Sequence, residues 1–170
     1  NSFAVLNMPL DTNQTGATGA VIRDYSLNVN NGTLTNGPVW TSLGIKGGAY
    51  SFDGNNDFIN FGDISPVDFN QQSFTFSAWI NPLNLSGTRG YFIISKWTDT
   101  GRQYAFYVRG LDGSVPGRIS LETGSGSTDG GLVGTTQLLA GNWYHVVAVY
   151  NDSASPTIDL YVNGVFNSNG

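Results

Sequence analysis

The sequence contains no cysteine, a single histidine and a single glutamate among its 170 residues. Without cysteine, disulfide bridges, thiolate metal centres and cysteine nucleophiles are excluded. One histidine, His145, also excludes zinc or copper sites built from several histidines. Charged residues make up only 11% of the chain, against about a quarter in typical soluble domains. An uncharged but polar surface of this kind is common in proteins outside the cell.

The few positive charges form no run or stripe. The formal net charge is −5, and the seven cations are scattered as Arg23, Lys46, Arg89, Lys96, Arg102, Arg109 and Arg118. Nucleic acid and anionic membrane surfaces are therefore not expected as partners. No stretch has the apolar length of a membrane span, so we expect no membrane insertion. The chain begins at Asn1 rather than Met, which suggests a removed leader, and hence export, or an excised segment.

Alternating strands and polar turns recur about every ten residues along the chain. The clearest unit is residues 47–61, which predict a β-hairpin with Asp53 and Gly54 in its tip. Further strands are predicted at 3–10, 73–82, 91–97, 103–109, 118–122, 143–150 and 157–162. The nearly continuous apolar run at 91–97 predicts that both faces of its strand are covered. No segment has helical periodicity with caps, so the sequence predicts one all-β domain over 1–170, a two-sheet antiparallel β-sandwich or jelly roll.

Oxygen-bearing side chains concentrate in the early loop, at 21–37, and at the tip of the predicted hairpin. The donors expected to converge on a hard cation are Asp24, Asn28, Asn30, Asp53 and Asp57. Oxygen ligands without nitrogen or sulfur favour calcium over a transition metal. A bound ion would tie the early loop to the hairpin tip and stabilise the fold. The alternative for the early loop is a series of Asx turns, in which Asp and Asn side chains bind their own backbone.

Aromatic and polar side chains are predicted on the strand faces opposite the core. The candidate ligand-binding residues are Trp79, Tyr107, Arg109, His145 and Tyr161, with Trp97 and Trp143 nearby in sequence. Sugar binding requires a flat aromatic surface flanked by hydrogen-bonding groups, which this set would provide. The competing interpretation for each of these residues is structural, because large aromatic side chains also fill sandwich cores.

Four segments of the chain carry a family pattern. They are residues 48–54 with 57–59, 74–82, 141–147 and 160–164. In this order and spacing they resemble the concanavalin A-like lectin/glucanase superfamily, in its laminin-G-like jelly-roll branch, over about residues 3–164. The resemblance implies a jelly roll that usually serves as a non-catalytic glycan-binding or adhesion module of secreted proteins, frequently with a structural calcium.

The same superfamily includes retaining glucanases, so catalysis has to be considered. Retaining hydrolysis needs two carboxyl groups about 5 Å apart, and those glucanases place acidic residues two apart on one strand. Glu122 has no acidic residue two positions away, and no nucleophile elbow accompanies His145. The sequence therefore predicts that the protein is not an enzyme. We interpret His145 as a strand histidine hydrogen-bonded near a sheet face.

The resemblance also implies further strands after residue 164, the last of which returns beside the first strand. Asn163 and Gly164 are a strong hairpin signal, but only residues 165–170 follow, too few for a full returning strand. We therefore expect an unpaired edge on the strand predicted at 3–10. The chain is then either a truncated fragment or a fold whose edge is filled by a strand from another chain.

Two functions follow from these observations. The first is a non-catalytic, secreted or cell-surface carbohydrate-binding or adhesion module, with a glycan or an extracellular-matrix protein as partner. The alternative is a structural subunit of a surface filament or coat with strand complementation between chains. The first predicts an open aromatic groove, whereas the second predicts a strand-shaped cleft that is filled by a neighbour.

Overall fold

The computed structural model describes residues 4–14, 18–68, 72–97, 102–124 and 129–170. These residues form thirteen strands and one short 3-10 helix, Ser65–Val67, in two units that span residues 1–68 and 69–170. The all-β prediction is confirmed. The predicted single domain stays a prediction. Within the described ranges, no helix is long and apolar enough to cross a membrane.

The first unit consists of five short strands in two sheets. They are β1 (Val21–Ile22), β2 (Gly32–Thr35), β3 (Val39–Thr41), β4 (Ala49–Ser51) and β5 (Phe58–Asn60). One sheet has the antiparallel order β1-β2-β5, and the other is the antiparallel pair β3-β4. Ile22, Leu34 and Tyr50 are the buried centre of this unit, because alternate residues of the strands face inward.

The prediction of a β-hairpin at 47–61 is wrong, although both of its strands are present. β4 pairs with β3 and β5 pairs with β2, so the two do not pair with each other. The reason lies in the connecting loop, where Oδ1 of Asp53 accepts the N–H groups of Asn55 and Asn56. Oδ2 of Asp57 accepts the N–H of Asp53 in turn. These side chains satisfy the loop backbone locally, so no tight two-residue turn forces the flanking strands together.

The prediction of a first strand at 3–10 is also wrong. The described residues 4–10 form no strand, and Phe3 lies outside the described residues. The carbonyl of Val5 accepts hydrogen bonds from Ser26 Oγ and Asn30 Nδ2, and the N–H of Asn7 donates to Asp24. Side chains of the early loop therefore take the backbone groups that a β-ladder would need. The expected unpaired strand edge is not formed by these residues.

The second unit contains two four-stranded antiparallel sheets. Its strands are β6 (Phe74–Ile80), β7 (Tyr91–Trp97), β8 (Arg102–Val108), β9 (Ile119–Gly124), β10 (Asp129–Val133), β11 (Tyr144–Asn151), β12 (Thr157–Val162) and β13 (Val165–Asn169). The sheet orders are β10-β9-β8-β7 and β13-β12-β11-β6. This is the predicted antiparallel sandwich.

The core of the sandwich lies between its two sheets. Phe106 and Leu121 come from the first sheet, Val146 and Leu160 from the second, and all four are fully buried in one cluster. Because side chains alternate across a strand, the residues between these positions lie on the two outer faces. The outer faces are where a ligand could bind.

The chain does form a returning strand after Asn163 and Gly164, so the prediction that too few residues remain is wrong. Asn163 (φ 52°) and Gly164 (φ 75°) both adopt the left-handed conformation that a two-residue hairpin turn requires. The turn reverses the chain at once, and the five residues of β13 pair with β12. Strand complementation by another chain stays a prediction.

The outer edge of β13 is held by neighbouring residues. Asn167 is buried, its Oδ1 accepts the N–H of Thr135 over 3.0 Å, and its carbonyl accepts the Thr135 hydroxyl over 2.7 Å. Nδ2 of Asn167 donates to the hydroxyl of Thr136. The segment 134–136 therefore occupies part of the hydrogen-bonding edge that an added strand would use.

Candidate functional site

A cleft of about 280 Å³ lies on the outer face of the β7-β8-β9 strands. Its lining combines three aromatic, three charged and four small residues: Phe92, Trp97, Tyr107, Arg109, Asp112, Glu122, Gly90, Ala105, Gly110 and Gly113. The volume is at the lower limit of the roughly 300–1,000 Å³ typical of small-molecule pockets. A cleft of this size and mixed polarity suits a small polar ligand or the end of a longer one.

Strand β8 places two of the predicted ligand residues in this cleft. Tyr104, Phe106 and Val108 point into the core, so Tyr107 and Arg109 point outward on the same face. Arg109 continues the ladder beyond the strand, because its N–H donates to the carbonyl of Arg118 over 2.9 Å. The two side chains are therefore held by a backbone that is paired on its β9 side.

The side chains of Tyr107, Arg109 and Glu122 form a connected polar group. Tyr107 lies opposite Ser120 in the β8-β9 register and one step diagonally from Glu122, to whose Oε1 its hydroxyl donates. Nη1 of Arg109 donates to the Tyr107 hydroxyl over 3.3 Å and lies 3.9 Å from the same carboxylate oxygen. The carboxylate, the phenol and the guanidinium thus fix one another in the cleft.

The environment keeps Tyr107 protonated. Burial, and then the hydrogen bond to Glu122 and the negative charge of that residue, raise the pKa of Tyr107 to about 12. The phenol is therefore a neutral hydrogen-bond donor at neutral pH. Its proton stays on the oxygen that bridges Arg109 and Glu122.

Phe92 forms the aromatic wall of the cleft and was missed by sequence reasoning. Its side chain is 60% exposed, and its ring lies 5.4 Å from that of Tyr107. The prediction that both faces of this strand are covered is wrong, because the β7-β8 register shifts between Phe92 and Ile94. This irregularity lets Ile93 and Ile94 both pack on the core while Phe92 faces outward.

Asp112 reaches the cleft from the loop that follows Arg109. The N–H groups of Leu111 and Asp112 donate to the carbonyls of Gly87 and Thr88 over 2.9 and 3.0 Å, which anchors this loop. At Gly113 a Cβ atom would lie only 2.8 Å from Nε of Arg109, so the absence of a side chain there leaves room for the guanidinium. That Nε is buried and has no hydrogen-bond partner among the described residues. This donor is covered by Gly113 behind the wall of the cleft.

The other three predicted ligand residues lie on the opposite outer face of the sandwich. Trp79, His145 and Tyr161 belong to β6, β11 and β12, which form the second sheet. Trp79 pairs directly with His145, and their rings lie 5.2 Å apart. The structure therefore brings Tyr107 and Arg109 together and separates them from the other three.

The polar groups around His145 bind one another. Nε2 of His145 lies 2.9 Å from Ser77 Oγ, and its backbone N–H donates to Oδ1 of Asn163 over 2.9 Å. Tyr161 packs edge to face on Phe166 with ring centroids 5.7 Å apart. Trp97 and Trp143 were expected near the ligand-binding residues; Trp97 lines the cleft on the first sheet, whereas Trp143 is not part of that lining. A ligand-binding role for Trp79, His145 and Tyr161 stays a prediction.

The five predicted metal ligands fall into two hydrogen-bond networks. Asp53 and Asp57 close the loop between β4 and β5, as described above, whereas Asp24, Asn28 and Asn30 bind the segment that precedes them. Asp24 is only 2% exposed, and its two oxygens accept four hydrogen bonds from Asn7, Ser26 and Asn30. Each oxygen of this carboxylate therefore accepts two hydrogen bonds from the protein.

No group of three or more His, Cys, Asp or Glu side chains that could hold a metal occurs within the ranges that the structure describes. The bonds from Ser26 to Asp24 form the Asx turn that the sequence left open as the alternative for the early loop. Calcium binding stays a prediction.

Comparison with the sequence models of known families gives a match. The sequence model of the family Laminin_G_3, described as concanavalin A-like lectin/glucanases superfamily, matches residues 53–170. The match begins in the loop between β4 and β5 and includes the whole sandwich. No curated protein matches the chain.

Proposed function

Because the chain belongs to this laminin-G-like family of the concanavalin A-like superfamily, we propose that it is a non-catalytic extracellular module that binds carbohydrate in the β7-β9 cleft. The family fits a carbohydrate-binding or adhesion module, and its relatives commonly bind glycans or extracellular partners. The observation that carries the proposal is the exposed Phe92 ring beside the fixed group of Tyr107, Arg109 and Glu122.

The chemistry of a sugar ring explains why this arrangement supports the proposal. A pyranose has an apolar face of C–H groups and an equatorial rim of hydroxyls that both donate and accept hydrogen bonds. The Phe92 ring offers an aromatic surface for the apolar face. Glu122 and Asp112 offer acceptors for hydroxyl donors, and Arg109 offers a donor, all from the same cleft.

The proposed absence of catalysis rests on how the carboxylates are used. Glu122 and Asp112 both line the cleft, and a retaining glycosidase would need such a pair about 5 Å apart. Glu122, however, accepts the Tyr107 hydroxyl and lies beside Arg109, which suits an acceptor for a ligand hydroxyl. Absence of reducing-end release during prolonged incubation with the bound glycan would agree with this, and steady release would contradict it.

The proposed extracellular location has separate support. Laminin-G-like domains are typically extracellular. The chain has no cysteine, few charges and many amide and hydroxyl side chains, a composition common in proteins outside the cell. Location is tested by expressing the natural gene product with a C-terminal tag and measuring its distribution between culture medium, surface and cell interior.

The cleft itself is tested by a glycan array followed by calorimetry with the best oligosaccharide. Phe92→Ala removes the aromatic wall, and we expect the affinity to fall by about 5- to 150-fold, on the scale of the about 1–3 kcal/mol that a nucleobase stacked on an aromatic ring contributes. The matched control is Phe166→Ala, which removes an equally exposed phenylalanine from the other sheet and should leave affinity unchanged.

Two other results would overturn the proposal. If no glycan binds, the module is not a lectin. If Trp79→Ala abolishes binding while Phe92→Ala does not, the glycan site lies on the opposite face of the sandwich, around Trp79 and His145.

A further inference from the structure

The charges of the cleft identify the class of glycan that it accepts. Three charged side chains line it: Arg109, Asp112 and Glu122. Arg109 and Glu122 lie 3.9 Å apart and largely cancel each other, which leaves the carboxylate of Asp112 as the excess charge. The described charges that line the cleft therefore sum to one negative charge.

The guanidinium of Arg109 is poorly placed to hold an anion. Sulfates and carboxylates are bound by arginine through two parallel N–H groups of a free fork. Here Nη1 is directed to the Tyr107 hydroxyl and to Glu122, and Nε is buried beside Gly113. An anionic group would thus compete with Glu122 for Arg109 and would lie close to two carboxylates.

The two carboxylates of the cleft have a different requirement. Asp112 and Glu122 are acceptors, so they favour a ligand that brings hydroxyl donors and no negative charge of its own. Sugar hydroxyls meet this requirement. The same hydroxyls can donate to the carboxylates of Asp112 and Glu122.

We infer that the cleft selects uncharged glycans and rejects sulfated and uronic-acid-containing ones; this inference rests on the proposed carbohydrate-binding function. The charge of the whole chain acts in the same direction, because a net charge of −5 repels polyanions at long range. Binding should then be nearly independent of ionic strength, unlike the binding of a polyanion to a basic site.

Matched pairs of polymers with the same backbone test the inference. Dextran is compared with dextran sulfate, and methyl-esterified polygalacturonate with its de-esterified, uronic-acid form. N-acetylated chito-oligosaccharides are compared with their deacetylated, cationic forms, and the best neutral oligosaccharide from the array is included. We expect at least one neutral glycan to bind, with an affinity at least about tenfold higher than that of its anionic counterpart. The affinity for the neutral glycan should change less than about twofold between low and high salt.

Charge variants make the test specific to the cleft. Asp112→Lys reverses the excess charge, so we expect it to gain salt-sensitive binding of the anionic polymers. Asp159→Lys changes the net charge equally on β12 of the other sheet and should not produce this gain beyond a small non-specific background.

The outcomes separate the inference from the function on which it rests. If sulfated or uronic glycans bind more tightly than neutral ones, and Phe92→Ala abolishes that binding, the cleft binds carbohydrate and the inferred selectivity is wrong. If the cationic sugars bind more tightly than the neutral ones, the selectivity for uncharged glycans is likewise wrong. If neither neutral nor charged glycans bind, both the inference and the proposed function are overturned.

Discussion

The backbone N–H of Asn7 donates to Oδ1 of Asp24 over 2.8 Å, and the N–H of Tyr25 donates back to the carbonyl of Asn7 over 2.9 Å. One buried carboxylate thereby joins two parts of the first unit that lie 17 residues apart in sequence. Asp24 satisfies donors from Ser26 and Asn30 as well. It is the hydrogen-bonding centre of the early loop.

Asp24→Asn should destabilise the chain strongly. The amide keeps the size of the side chain, but it removes the charge and turns one acceptor into a donor that faces existing donors. Hydrogen bonds to a buried charge are involved, so we expect the free energy of unfolding to fall by about 2–4 kcal/mol in urea titrations. Amide hydrogen exchange should accelerate at the N–H groups of Asn7, Ser26 and Asn30.

The matched control for this variant is Asp53→Asn. Asp53 also accepts several backbone N–H groups, but in an exposed loop. Water can replace those contacts, so the effect should be clearly smaller than that of Asp24→Asn. Equal effects of the two substitutions would show that burial of the Asp24 network is not what stabilises it.

Low pH should destabilise the fold through protonation of the Asp24 carboxylate. Burial acts to raise the pKa of Asp24, but hydrogen bonds from the Ser26 hydroxyl and from the backbone of Ser26, Asn7 and Asn30 outweigh it, so the pKa is lowered from the ordinary value of 3.8. A lowered folded-state pKa contributes stability that is complete above the unfolded value and is lost as pH falls through the folded one. Stability should therefore decline below about pH 4 and decline less steeply in Asp24→Asn, as measured by thermal unfolding at several pH values. Identical slopes in the two proteins would contradict the assignment.

Asn167→Ala tests whether β13 is an integral strand of the sandwich. The substitution removes the acceptor of the Thr135 N–H and the donor to the Thr136 hydroxyl, and it leaves a space at the buried Asn167 position, so we expect a loss of about 1–3 kcal/mol in the free energy of unfolding. Asn169→Ala, at an exposed position of the same strand, should change stability by no more than about 0.5 kcal/mol. If Asn167→Ala is as mild as its control, the edge is open, and strand complementation becomes the better explanation of the C-terminal strands.

The local alternation of residues was sufficient to predict the fold class and the outward direction of most candidate site residues. Trp79, His145 and Tyr161 do point away from the core, as their spacing predicts. Alternation does not say which strands pair, and pairing decides which residues share a face. β8 pairs with β7 and β9, so Tyr107 and Arg109 lie on a different sheet from the other three.

The parts of the cleft that were not predicted depend on long-range or irregular geometry. Phe92 points outward only because the register of β7 shifts beside it, and an apolar run carries no signal of such a shift. Asp112 is positioned by backbone contacts with Gly87 and Thr88, more than twenty residues earlier in the chain. Glu122 belongs to no local pair of acidic residues, and nothing in the sequence around it signals a carboxylate that binds a phenol and a guanidinium.

Glu122→Gln should lower the pKa of Tyr107 from about 12 towards the ordinary value of 10. Burial alone keeps part of the increase, but the negative charge of Glu122 and the hydrogen bond to its carboxylate are removed. Because the folded-state pKa is raised, the protonated phenol contributes stability that is complete below about pH 10 and is lost as pH rises through about 12.

The pKa of Tyr107 is measured by NMR titration of tyrosine ¹³Cζ, with Tyr107→Phe to assign the signal. The matched control is Asp152→Asn, whose carboxylate contributes to the raised pKa of Tyr150, so this variant should shift Tyr150 and leave Tyr107 unchanged. A Tyr107 titration that does not respond to Glu122→Gln would mean that the phenol does not bind this carboxylate, and the polar group of the cleft would lose its central contact.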